Sequence, residues 1–66
     1  MNYFVLNEAG GVEAVCATVL LAVVCVAWLP GRPSICDRQM GIIWQGDPHE
    51  ATEDPEGLAA RIEREG

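Results

Sequence analysis

Apolar side chains dominate the first half of the chain and become scarce in the second. From Val12 to Leu29 the sequence reads VEAVCATVLLAVVCVAWL, eighteen residues whose only charge is Glu13. Neither a period of two nor a single apolar stripe emerges from this run, because it is apolar on every side. A helix of that length is about 27 Å long, close to the roughly 30 Å hydrocarbon core of a bilayer. A 66-residue chain offers little other protein with which to cover such a helix. The pattern therefore predicts an all-α membrane protein. Residues 1–11 form an extracytoplasmic leader, in which the helix itself can begin. Residues 12–29 form a single transmembrane helix, and 30–53 a mostly irregular cytoplasmic tail with an apolar cluster at 40–44. Residues 54–65 form a short amphipathic helix.

The ends of the run support a span. Trp28 sits at one boundary, and Pro30-Gly31-Arg32-Pro33 is a strong helix stop. Tyr3 and Phe4 are candidates for an aromatic belt at the other boundary. Arg32 and Arg38 lie on the C-terminal side, while no Lys or Arg precedes them. The positive-inside rule then places the tail in the cytoplasm. A secretory signal would need a basic leader and a small-x-small cleavage site. The leader carries Glu8 instead, and Ala27-Trp28-Leu29-Pro30 is a poor cleavage site.

Projected on a helix, Gly10, Gly11, Ala14, Thr18, Ala22 and Cys25 fall on one side. Their spacing is that of a small-xxx-small ladder, which lets another membrane helix approach closely. On that same helix Cys16 and Cys25 would lie about 13–14 Å apart along the axis, too far to bond. The run contains no His, Asp, Lys, Arg or Met, so a cofactor ligand or an ion path within it is not expected.

The tail has two further features. Met40, Ile42, Ile43 and Trp44 make an apolar cluster suited to anchoring on a partner subunit. Residues 46–57, rich in Pro, Gly and acid, read as an irregular linker, with His49 alone among carboxylates and solvated. Beyond it, Asp54 can cap a helix that starts at Pro55. Leu58, Ala59 and Ile62 line one face of that helix, and Arg61 can pair with Glu65.

Composition narrows the function. The net charge is −6, with ten acidic residues, four Arg and no Lys, which argues against nucleic acid and anionic lipid. The Arg- and Ala-rich, Lys-free usage suggests a GC-rich bacterial genome, and with the span it places the protein in the bacterial inner membrane. A chain this small has no room for a pocket held by packed supporting groups. Neither catalysis nor a cofactor bound by this chain alone is therefore expected, and lipid or pigment contact is expected only within a complex. In size and layout alone the chain resembles the single-span accessory subunits of bacterial respiratory and photosynthetic complexes, without a motif of any of them. The expected role is a non-catalytic, single-pass subunit of an energy-transducing membrane complex, stabilising assembly or shaping access for a mobile carrier. Its partners would be integral membrane subunits and the lipid bilayer, with no nucleic acid and no small-molecule substrate. The alternative is a stand-alone regulatory microprotein that binds a transporter or kinase.

Overall fold

The computed structural model describes residues 2–65, and it divides the apolar run into a strand, a bend and a short helix. Strand β1 (Tyr3–Leu6) turns into β2 (Val12–Cys16), followed by helix α1 (Val19–Val26). Strands β3 (Ser34–Cys36) and β4 (Ile42–Gln45) come next, then helices α2 (Pro48–Glu53) and α3 (Pro55–Glu65). The sheet order is β2-β1-β3-β4 with every neighbouring pair antiparallel. Strands β2 and β3 therefore run parallel to each other, with β1 between them and α1 as the connection.

The all-α membrane expectation is thus overturned. Among the described residues no helix is long and apolar enough to cross a membrane. Local chemistry explains the division. Asn7 and Gly11 close a tight hairpin: the Asn7 N–H donates to the Gly11 carbonyl at 2.8 Å, and the Gly11 N–H donates to Asn7 Oδ1 at 2.9 Å. Gly10 sits at φ +95°, where a side chain would be strained. The hairpin commits Val12–Cys16, with its valines, to a strand. At the far end Thr18 is extended (φ −133°, ψ 159°), and its Oγ1 accepts the Leu21 N–H at 3.1 Å. This is a helix N-cap in the middle of the run, and it starts α1 afresh.

Once α1 is only eight residues long, its apolar surround has a different meaning. Val19, Ala22, Val23 and Val26 are buried in the core between the sheet and α3, while Leu20, Leu21 and Val24 are exposed. Trp28 and Leu29 follow in a tightened final turn, with N–H groups bonded to the Cys25 and Val26 carbonyls at 3.2 and 3.0 Å. Gly31 then turns the chain at φ +74°, against the Glu8 carboxylate, where a Cβ would lie 2.7 Å from the carboxylate carbon.

The tail, expected to be irregular, is ordered. Residues 34–36 and 42–45 are strands, joined by a turn in which Asp37 Oδ1 accepts the Gln39 and Gly41 N–H groups, each at 2.9 Å. The expected linker contains α2, capped by Asp47, whose Oδ1 accepts the His49 N–H at 2.9 Å. Asp54 Oδ1 accepts the Gly57 N–H at the start of α3. Helix α3 buries Leu58, Ala59 and Ile62. Arg61 reaches Glu50 of α2 at 3.3 Å rather than Glu65.

One core unites the layers. Val5 and Ile35, direct partners across the two central strands, are both 0 % exposed. Around them pack Cys16, the four buried positions of α1, Ala51 of α2, and Leu58, Ala59 and Ile62 of α3. Truncating Ile35→Ala should cost about 3 kcal/mol, a large part of the roughly 3–10 kcal/mol expected for a domain of this length. Urea unfolding followed by far-UV circular dichroism measures this; a loss below about 1 kcal/mol would contradict the placement of Ile35. Gly10→Ala should cost about 1 kcal/mol through backbone strain, with the slope of the unfolding curve unchanged.

Candidate functional site

The residues grouped by helical projection do not share a face. Gly10 and Gly11 lie in the hairpin turn, Ala14 in β2, and Thr18 at the cap of α1; only Ala22 and Cys25 belong to the helix. Ala22 is wholly buried in the core and is closed to a partner. The anchoring set is dispersed as well. Tyr3 lies in β1, and Ile43 and Trp44 pack from β4 against the core. Met40 occupies the β3–β4 turn at φ 65°. Arg32 lies in the loop after α1 and Arg38 in the β3–β4 turn, so neither flanks a spanning helix.

What the fold leaves exposed is a surplus of apolar surface on both sides of the sheet. On the side away from the helices, register places Val15, Phe4, Cys36 and Ile42 in one row across all four strands. Val12 and Leu6 continue this face in the next row beside Ser34 and Gln45. Residues directly opposite each other project to the same face, and none of these side chains belongs to the main core. Cys36 is sunk between its neighbours, whereas Val12, Val15 and Ile42 are more than half exposed. These two rows carry no charge.

The helical side carries the second apolar surface, and this one is concave. Val24, Ala27 and Trp28 from α1 and its final turn face Ala51, Thr52 and Pro55, across a groove of about 320 Å³ between α1 and α2. Trp28 is 85 % exposed, an extreme value for the side chain with the most apolar area to hide. Leu21 lies one turn before Val24 on the same helix and is also exposed. The neighbouring segment is acidic: Glu50, Glu53, Asp54 and Glu56 surround Ala51, Thr52 and Pro55 in sequence, and seven of the chain's ten acids fall between Asp47 and Glu65. Glu50 is engaged by Arg61 at 3.3 Å, and Glu53 faces His49 at 3.0 Å. Both pairs are solvent-exposed and weak, so a partner's cation can displace them.

A second cleft, of about 480 Å³, is lined by Tyr3, Thr18, Asp37, Ile43, Ile62 and Glu63 among others. Its Asp37 carboxylate is committed to two backbone N–H groups of the β3–β4 turn, which leaves little for chemistry. Among the described residues no cluster of three or more His, Cys, Asp or Glu side chains is placed to hold a metal ion.

The remaining reactive groups are the thiols. Cys16, at the end of β2, and Cys25, in α1, approach to 3.6 Å between sulfurs. The 13–14 Å axial separation of one continuous helix, about 1.5 Å for each of nine residues, disappears because the Thr18 bend folds the helix back over the strand. Burial pushes the Cys16 thiol up from 9.0 to about 11, helped by the Cys25 sulfur beside it. Burial also pushes Cys36 up, with the Asp37 charge adding to it. Compared with known proteins, the chain matches no family model, no curated relative and no solved structure.

The raised thiols have a consequence for alkaline stability. An unfolded chain releases the Cys16 proton near 9, whereas the folded chain holds it to about 11. The stability contributed by this protonated thiol is therefore fully present below about pH 9 and is lost as pH rises through about 11. The urea midpoint should fall across that window, and fall less steeply in Cys16→Ala. Identical slopes in the two proteins would remove Cys16 as the cause.

Proposed function

We propose that this chain is a small non-catalytic binding module that receives a basic amphipathic helix of a partner protein in the groove between α1 and α2. The observation that carries the reading is Trp28, 85 % exposed at the mouth of a concave apolar groove lined by Val24, Ala27, Ala51 and Pro55. Exposed aromatic anchors of this kind dominate binding energetics when they are desolvated by a partner. The shape of the site fits the helix-in-groove mode, in which apolar side chains at helical spacing fill the groove. Charge selects the partner. The groove adjoins the acid-rich α2–α3 segment of a chain with net charge −6, so Lys or Arg on the polar flank of the incoming helix is favoured and acidic helices are repelled.

The proposal keeps a role as a non-catalytic component of a larger assembly and relocates the contact surface. It assigns no membrane host, because no spanning helix is present among the described residues. The outer sheet face is also apolar, yet its two rows carry no charge to select a partner, and it enters the proposal only as uncovered surface.

Titration with a synthetic helical peptide of Leu and Lys, against a Leu and Glu peptide of the same length, tests this. In a Trp44→Phe background Trp28 is the only tryptophan, so its emission reports the groove. The basic peptide should shift that emission to shorter wavelength, and added salt should weaken the binding. Measured by calorimetric titration of the otherwise native chain, Trp28→Ala should reduce affinity about tenfold or more with little loss of folding stability. Equal binding of both peptides, or unchanged affinity in Trp28→Ala, would sink the reading.

A further inference from the structure

Two of the three cysteines meet where the chain doubles back on itself. Cys16 ends β2, Cys25 lies near the end of α1, and their sulfurs are 3.6 Å apart, in contact without being bonded. A disulfide brings sulfurs to about 2 Å, so closure needs a movement of about 1.5 Å. The third thiol, Cys36, does not compete: it lies on the opposite face of the sheet, in register with Phe4 and Ile42, and is 1 % exposed.

We propose that Cys16 and Cys25 form a redox-modification site that closes to an intramolecular disulfide when the protein meets a peroxide. The two thiols have unequal access, and this assigns their roles. Cys25 is half-buried and open to a small oxidant, whereas Cys16 is 7 % exposed. The Cys25 sulfur, as thiolate, attacks one peroxide oxygen. An S–O bond forms, the O–O bond breaks, and the departing hydroxide takes up the thiol proton as water. Cys25 is then a sulfenic acid. The Cys16 sulfur, already in contact, attacks the Cys25 sulfur. The S–S bond forms, the S–O bond breaks, and the hydroxyl leaves with the Cys16 proton as a second water. Two thiols lose two electrons, and one peroxide becomes two waters. Burial raises the Cys16 thiol to about 11, which suits a resolving thiol that reacts only when a sulfenic acid forms beside it. A dithiol reductant reverses the bond by exchange.

The site is independent of the docking groove, since neither thiol lines it. Its test is therefore separable from that of the binding proposal. The reduced full chain is treated with hydrogen peroxide, alkylated with iodoacetamide and weighed intact. Two of the three alkylatable thiols should be lost together, with the mass falling by two hydrogens before alkylation and returning with dithiothreitol. Chymotryptic cleavage after Leu20 or Leu21 separates the two cysteines, so a linked peptide pair identifies the bond without any variant. Cys36→Ser should react like the wild type. Cys16→Ser should lose the disulfide and accumulate a dimedone-reactive sulfenic acid on Cys25. Retention of all three thiols, linkage through Cys36, or oxidation only to higher acids without an S–S bond would overturn the proposal.

Discussion

The pairing of β1 with β3 is the contact on which the other elements rest. It places Val5 beside Ile35 at the centre of the sheet, both wholly buried, and it gives α1 a surface to cover, with α3 packed in turn against α1. Strand β2 depends on it through β1, and β4 depends on it through β3. The interaction is non-polar and non-directional in itself. The direction comes from the backbone ladder, which fixes register so that Val5, Ile35 and Cys16 lie on the covered side while Phe4, Leu6 and Cys36 lie on the other. A slip of one residue would exchange the two sets.

This arrangement accounts for the surplus of apolar surface. Half of the chain's residues are hydrophobic, yet a domain of this size covers only one side of its sheet with helices and leaves part of its first helix exposed. The remainder stays outside, on the outer sheet face and around Trp28. The acidic residues concentrated after Asp47 oppose indiscriminate association through like-charge repulsion. In the proposed function the same acids favour a partner that brings positive charge.

Parts of this are legible in the sequence. Helix α3 can be read from Asp54, Pro55 and the spacing of Leu58, Ala59 and Ile62, because capping and amphipathic periodicity are local signals. The division of the apolar run is far harder to read, although its marks are there. Asn7 and Gly10-Gly11 form a hairpin turn, and Thr18 is a residue that caps helices as readily as it packs within them. Eighteen nearly uncharged residues in a row outweigh these two cues, because a strand followed by a buried helix can have the same composition as a membrane span. The dithiol is hidden for the same reason: its two members meet only if the chain reverses at Thr18. Trp28 does mark a boundary, but the boundary is that of α1 with solvent.

The strand order has a consequence for how the chain assembles. The β1–β2 hairpin closes a loop of a few residues and can form early, but β1 gains its second neighbour only when β3, some thirty residues further along, arrives. Until then the hairpin has an open edge and no lid over Val5, and closing that longer loop carries a larger closure entropy than the hairpin does. The whole of α1 lies inside the loop. Docking of this helix on the hairpin therefore shortens the effective search for β3, and the Cys16–Cys25 contact lies within that docked surface.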